Sequence, residues 1–453
     1  MTVTDTATAS RTGGMTGAAR ARLAAHGFTL GVFAACELVL LAWWLAFFPV
    51  LVTPDSITYV YEATTNHWAT DHSVVYDAAI WLSLQTTHGV GLLTLLQTIA
   101  LAAVLAYIAG GLRQLGANAW ATAIVPVLVL LSPSLGSFPV YLWKDVPFTI
   151  CGLWLIGLLI RFVVLSRESG WASSTRARVL GWWTFAAVLL MCLSRNNAFV
   201  FTVIAAAVLL VLWRRASLRI IAMMAVGVIA ATLLTVAVFP LFGVQRAKSD
   251  LVLGPAYDDV AYFYLHEPRV FSTSDLSLLS SVAPLPVWHH AGNCYTADDL
   301  TNDPRFSRDA ASAHSGQLFA LWRRILVHHP AGMTYARLCR GYIAWSPVPA
   351  PKRLGQTVFP LTIEKPSRYL KLSNLEWRRA LMPAPIDRGY RHSAQVYDVY
   401  SRPDEWAIWR GATWCYVLYA AIAVAVARTR RWSLIALAAS RENRGSLVRS
   451  SAV

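Results

Sequence analysis

The chain predicts an all-α polytopic membrane protein of about eight transmembrane helices, with one large, mainly α-helical extracytoplasmic domain. Three observations carry that reading. Hydrophobic residues make up 56% of the 453 positions and charged residues only 14%. Apolar runs long enough to cross a hydrocarbon core recur along the sequence, which excludes a soluble globular class. The arginines fall in short segments between those runs, which is an orientation signal. A net charge of +15 would suit nucleic acid if it were gathered on one face. Scattered between apolar runs it argues for membrane orientation, and no nucleic-acid partner is expected.

Residues 1–27 are small, polar and basic and read as a disordered cytoplasmic tail. A module at 28–242 holds seven spans, at roughly 28–52, 89–110, 119–134, 146–165, 180–193, 199–213 and 218–241. The first is too long for the apolar region of a cleaved signal, and no small-residue cleavage site follows it. Residues 54–88 form a first outer loop whose second half, VVYDAAIWLSL, reads as a short interfacial helix. Residues 243–409 form the polar extracytoplasmic domain, 410–428 a last transmembrane helix, and 429–453 a cytoplasmic tail. Within the polar domain, residues 315–345 read as an amphipathic helical pair broken at Pro330, packing that domain down onto the membrane.

The basic residues set the orientation. Arg113, Arg161, Arg167, Arg176, Arg178, Arg214, Arg215, Arg219, Arg428, Arg430 and Arg431 all fall in segments threaded to the inside. The first outer loop has no Lys or Arg, and the other two short outer turns carry one each, Lys144 and Arg195. Four of the six cysteines (Cys36, Cys151, Cys192, Cys415) lie in apolar spans, where a thiol acts as a small hydrophobe. Cys294 and Cys339 lie in the polar domain, as a disulfide or as two thiols.

Four short stretches fall on the outer rim of this threading: TPDS at 53–56, DHSVVY at 71–76, WKD at 143–145 and SRNN at 194–197. Ionisable groups at membrane depth or its edge are expensive, so each is a functional candidate. Asp55 either caps the helix that follows it or serves as a general base, since a partly buried carboxylate can take a proton from a hydroxyl. Asp71 and His72 share a loop with Glu62 and His67. Their spacing matches no metal motif, and no cofactor is expected; a divalent cation is conceivable but not indicated. Lys144 opens a helix, where a cation opposes the helix dipole unless an anion compensates. Asp145 beside it would do so, and a phosphate would do so better. Arg195 with Asn196 offers a guanidinium fork and an amide donor, suited to phosphate, or else a plain turn. His289–His290 and His328–His329 lack ligand spacing, and Glu37 reads as a packing partner inside the first span.

Taken together, an outer Asp-Ser after the first span, a D-H-x-x-x-Y stretch, W-K-D and R-N-N resemble an actinobacterial-type multi-spanning family. It is related to the GT-C glycosyltransferases, which use polyprenyl-phosphate-linked sugars. Asp55–Ser56 and Trp143–Asp145 match the family pattern. Ser73 stands where Pro is usual and Ala198 where Gly is usual. The resemblance covers residues 28 to about 270, including PAYDDVAYFYLHEP, and extends to Trp345–Pro347. It implies a GT-C-like module in which Asp55 is the base, Asp71 and His72 shape the pocket, and Lys144, Asp145, Arg195 and Asn196 attend the donor phosphate. The implied partners are a polyprenyl-phosphate-linked sugar, a glycan, lipid or protein acceptor, and membrane lipid, in a bacterial cytoplasmic membrane. The alternatives are a transporter or flippase for an anionic lipid, or a non-catalytic envelope-assembly scaffold. Neither an internal repeat nor helices broken near the midplane supports transport.

Overall fold

The computed structural model describes residues 12–167, 171, 174–213, 217–246, 249–296, 299–348, 350, 406 and 410–429. It is 79% helical with no strand among the described residues. Two isolated bridges, Leu51 to Tyr141 and Ala69 to Gln245, are its only extended pairings there.

In chain order the first helices are α1 (Thr12–Ala46), α2 (Pro54–Thr65), α3 (Val74–Thr87), α4 (Gly91–Gln114), α5 (Ala119–Leu131) and α6 (Pro133–Gly136). Then come α7 (Asp145–Leu165), α8 (Thr175–Ser194), α9 (Ala198–Trp213), α10 (Leu218–Leu233) and α11 (Phe239–Leu241). Among the described residues, five segments are long and apolar enough to cross a membrane: His26–Ala46, Gly91–Gln114, Asp145–Leu165, Thr175–Ser194 and Leu218–Leu241. The expected span at 119–134 is instead a pair, Ala119–Leu131 and Ser134–Val140, bent by 94°. Pro133 sits at that break, and a proline disfavours helical backbone in the residue before it. The expected span at 199–213 is the shorter apolar helix Ala198–Val211.

Apolar side chains face outward along the bundle, as at Val211 (75% exposed) and Leu241 (82% exposed). Exposed apolar surface on that scale marks a membrane-facing wall. Backbone polar groups inside helices are satisfied within the segment, which lipid demands. Small residues bring helices close. A Cβ at Gly111 of α4 would meet Ile160 of α7 at 2.7 Å, and one at Gly157 of α7 would meet Tyr107 of α4 at 2.7 Å. Without a hydrophobic drive between helices in lipid, such close approach supplies the packing energy. Between α10 and α11 the chain widens into a π turn at Leu234–Val238. Pro240 explains it: its ring clashes with the carbonyl four residues earlier, and it has no N–H to donate. Glu37 in α1 accepts from the Thr98 hydroxyl of α4 at 3.0 Å, the polar neighbour expected for it.

The polar domain is a separate helical cluster: α12 (Ser249–His266), α13 (Thr273–Val282), α14 (Leu285–Ala291), α15 (Arg308–Ala313), α16 (Ser315–His328), α17 (Pro330–Arg340) and α18 (Tyr342–Trp345). The amphipathic pair breaks at Pro330 as expected, with the proline in the first turn of α17, where its missing N–H is harmless. One apolar face of the pair packs inward, while Phe319, Val327, Tyr335 and Leu338 stay exposed. Leu318, Leu321, Ile325, Met333 and Ala336 join Val260, Phe263 and Trp288 in the domain's own core. Cys294 and Cys339 form a disulfide with Cα atoms 5.5 Å apart. A final helix, α19 (Gly411–Thr429), docks by a hydrogen bond from the Tyr416 hydroxyl to the Trp345 carbonyl at 2.8 Å.

Candidate functional site

One end of the helical bundle is assembled from segments far apart in sequence, by hydrogen bonds that leave little freedom. Leu51 and the strand-like stretch at 140–142 exchange backbone bonds at 3.0 Å. The Ser56 hydroxyl donates to the Leu142 carbonyl at 2.6 Å, and the Ser73 hydroxyl to the Leu193 carbonyl at 2.8 Å. Asn196 donates its amide to the Thr70 carbonyl at 3.0 Å, while the Thr70 N–H reaches the Gln245 carbonyl at 2.9 Å. These ties bring the starts of α2, α3, α7 and α9 together. Four helix N-termini give a zone of positive potential, and α2, α3 and α7 each carry an acid in the first turn, Asp55, Asp77 and Asp145.

Asp55 does not cap its helix. Thr53 does, in a reciprocal capping box with Ser56. The Asp55 carboxylate is thereby left to accept from the Tyr59 hydroxyl at 3.2 Å. Asp55, Tyr59 and Glu62 follow at spacings of four and three and so share one face of α2. Burial, reinforced by Asp55, pushes the Tyr59 phenol far above its ordinary range, so it stays a neutral donor.

His72 is packed edge-on against Tyr59, with ring centroids 5.1 Å apart. The Lys144 ammonium donates to His72 Nδ1 at 3.1 Å, and His72 Nε2 lies 3.8 Å from the Asp71 carboxylate. Burial and then the Lys144 charge lower the His72 pKa, keeping the imidazole neutral. With Nδ1 accepting from lysine, the ring proton of this neutral tautomer sits on Nε2, toward Asp71. Lys144 also lies 5.9 Å from the centre of the Tyr59 ring.

The sequence pairs Lys144 locally with Asp145, and the fold pairs them differently. Asp145 is bound by the Arg195 guanidinium, which also donates through Nε to Asn197 Oδ1 at 3.0 Å. Arg195 therefore already has an anion, and the Asn196 amide is taken by Thr70. Among the described residues, the hydrogen-bond partner of Lys144 is the neutral His72, and no carboxylate lies within ion-pair distance of it.

Behind His72, Glu62 meets a second acid that the sequence does not single out, Asp77. Glu62 is 5% exposed and Asp77 fully buried, and their carboxyls face each other closely enough to share a proton. Neither Asp77 oxygen, nor Glu62 Oε2, nor Asp71 Oδ1 receives a hydrogen bond from the described residues. Burial first, and the neighbouring carboxylates next, raise the Glu62 pKa; burial raises that of Asp77. Tyr76 borders this pair and donates to Gln97 Oε1 at 2.8 Å, with Gln97 donating in turn to the Pro139 carbonyl at 2.6 Å.

All seven residues singled out in the sequence (Asp55, Asp71, His72, Lys144, Asp145, Arg195, Asn196) lie at this one end. Tyr59, Glu62 as an active member, Asp77 and Gln97 are additions. The α2 spacing was the available signal for Tyr59 and Glu62. Asp77 sits in a stretch of apolar residues whose single acid reads as a helix-start charge. The sequence spacing matches no metal motif, and the fold brings ligand atoms of Glu62, Asp71 and His72 within 4.8 Å of one another. Compared with known proteins, the chain matches no family model, no curated protein and no solved structure.

Proposed function

We propose that the protein is a membrane glycosyltransferase of the GT-C type, moving a sugar from a polyprenyl-phosphate donor to a cell-envelope acceptor. The threading that goes with it has eight spans, the N-terminus in the cytoplasm of a bacterium and the polar domain outside its cytoplasmic membrane. Two features support that side: the arginine distribution, and the Cys294–Cys339 disulfide, which suits an oxidising compartment. The observation that supports the reaction is the convergence at one rim of a carboxylate without a capping duty, Asp55, and a cation with no anionic partner bonded to it among the described residues, Lys144.

The chemistry then runs as one displacement. Asp55 takes the proton of an acceptor hydroxyl. The oxygen forms a bond to the anomeric carbon while the anomeric C–O bond to phosphate breaks. Polyprenyl phosphate leaves with the electron pair, and Lys144 stabilises the charge that develops on it. Arg195 joins when the phosphate competes with Asp145 for the guanidinium. Preorganised cations outside bulk water are the strongest contributors to such a step. Tyr59 holds the Asp55 carboxylate in place.

The test is release of free polyprenyl phosphate from a panel of polyprenyl phosphosugars by purified protein in lipid, with crude envelope acceptor. Wild type releases it, and Asp55→Asn is slower by about 10²–10⁴-fold, the usual worth of a general base. If neither releases product while both bind donor lipid, transport of an anionic lipid or a scaffold role takes its place.

A further inference from the structure

We infer that Glu62, Asp71 and His72 form a binding site for a divalent first-row transition cation, of the Mn²⁺ or Zn²⁺ class, with Asp77 as the carboxyl that orients Glu62. This inference does not depend on the sugar-transfer reading. Its geometric basis is the convergence of one atom from each of the three side chains within 4.8 Å. Metal–ligand bonds of about 2.1 Å put neighbouring ligand atoms roughly 3–4 Å apart, so a small inward turn of the side chains closes the set.

A second observation is independent of that clustering. Among the described residues no donor group outside the Glu62–Asp77 pair reaches either oxygen of the fully buried Asp77, Glu62 Oε2 or Asp71 Oδ1. Native interiors seldom leave buried carboxyl oxygens unmet, and each such case asks for an ion or a proton to explain it. The local charge points the same way. Among the described residues, Asp55, Asp71, Asp145 and the proton-sharing pair Glu62 and Asp77 are gathered around two cations, Lys144 and Arg195, and Arg195 is already paired with Asp145. A dication would meet that excess.

The donor set selects the metal class. One imidazole with two carboxylates suits Mn²⁺, Fe²⁺ or Zn²⁺, whereas Mg²⁺ and Ca²⁺ prefer oxygen throughout. Asp77 against Glu62 has the place of the outer carboxyl that fixes a ligand's orientation. His72 adds a specific consequence. A metal on Nε2, the nitrogen facing Asp71, requires the ring proton on Nδ1, which then no longer accepts from Lys144. Cation binding therefore releases Lys144 from His72, and the freed ammonium is available to an anion at the rim.

Mn²⁺ titration of chelator-stripped, full-length protein in nanodiscs tests this, with free Mn²⁺ read by electron paramagnetic resonance. Wild type is expected to take up one Mn²⁺ per chain. Glu62→Gln and Asp71→Asn each weaken uptake at least about tenfold, and Asp77→Asn by about tenfold, the range for orienting partners. Lys144→Met tightens uptake, because it removes both the competing hydrogen bond and the repelling charge. Monodisperse elution of each variant checks folding. For any that elutes as aggregate, a Mn²⁺-dependent rise in the thermal midpoint of wild type replaces the comparison. Absence of Mn²⁺ uptake and of any midpoint rise by wild type overturns the proposal. Uptake unchanged in well-folded Glu62→Gln and Asp71→Asn overturns it equally.

Discussion

The polar domain and the rim of the helical bundle both bury adjacent acids, and they treat them in opposite ways. In the polar domain, the fully buried Asp259 receives Arg340 Nη1 at 2.7 Å, Arg337 Nη2 at 2.5 Å and the Trp322 indole at 2.8 Å. Neighbouring Asp258 has the Arg340 guanidinium 3.7 Å away. At the rim, Asp77 is as deeply buried, and among the described residues only the Glu62 carboxyl faces it closely enough to share a proton. A buried acid whose oxygens are met holds one conformation, although Arg340 Nε and Nη2 beside it have no hydrogen-bond partner among the described residues, and a buried acid whose oxygens are not met is costly to keep. Such a departure from local rules marks the rim as the candidate site.

Asp259→Asn gives the largest expected effect, because it leaves Arg337 and Arg340 short of a buried partner. It should cost about 3 kcal/mol, toward the low end for a broken buried pair because Arg337 is partly exposed. A drop in the thermal midpoint of the full chain in detergent measures it. Asp77→Asn at the rim goes the other way. The amide can donate to Glu62, so chelator-treated protein gains about 1 kcal/mol. A loss as large as that of Asp259→Asn would erase the contrast between the two regions.

A smaller, sharper test uses pH. The raised pKa values of Glu62 and Asp77 mean that the folded chain holds protons the unfolded chain has released. Their stabilising effect is complete below the ordinary values, 4.5 for Glu62 and 3.8 for Asp77, and is lost as pH rises through the raised values. Asp77, Asp71 and Lys144 face Glu62 and set the extent of the rise. Asp275 in the polar domain has the opposite sign. Burial alone would raise it, but hydrogen bonds from Arg324 and Ser272 hold it below its ordinary value. Its contribution is present above pH 3.8 and lost as pH falls. Thermal midpoints of chelator-treated protein across pH should fall on the alkaline side and flatten with Glu62→Gln, while Asp275→Asn flattens only the acid limb.

What the sequence could show follows from what each signal depends on. Helical class and the apolar segments depend on composition over twenty-residue windows, and those were legible. The rim motifs were legible because charges are rare near apolar runs. Their pairing was not. Lys144 and Asp145 are adjacent, and successive residues on a helix point about 100° apart, so they do not face each other. Asp145 meets Arg195 from the end of α8 instead. The bend after α5 was hidden because a proline within an apolar run reads equally as a tolerated interior residue, as Pro126 is in α5 itself. Asp77 was hidden because an acid in a first turn is already explained by the helix dipole.

The bridge between Ala69 and Gln245 has a mechanical consequence. Trp68 and Thr70 are bonded to Gln245, which lies just ahead of the polar domain, and Asp71 and His72 follow immediately. The same loop is fixed from the other side by Asn196. A displacement of residues 244–246 therefore pulls directly on the loop that carries His72 and Asp71.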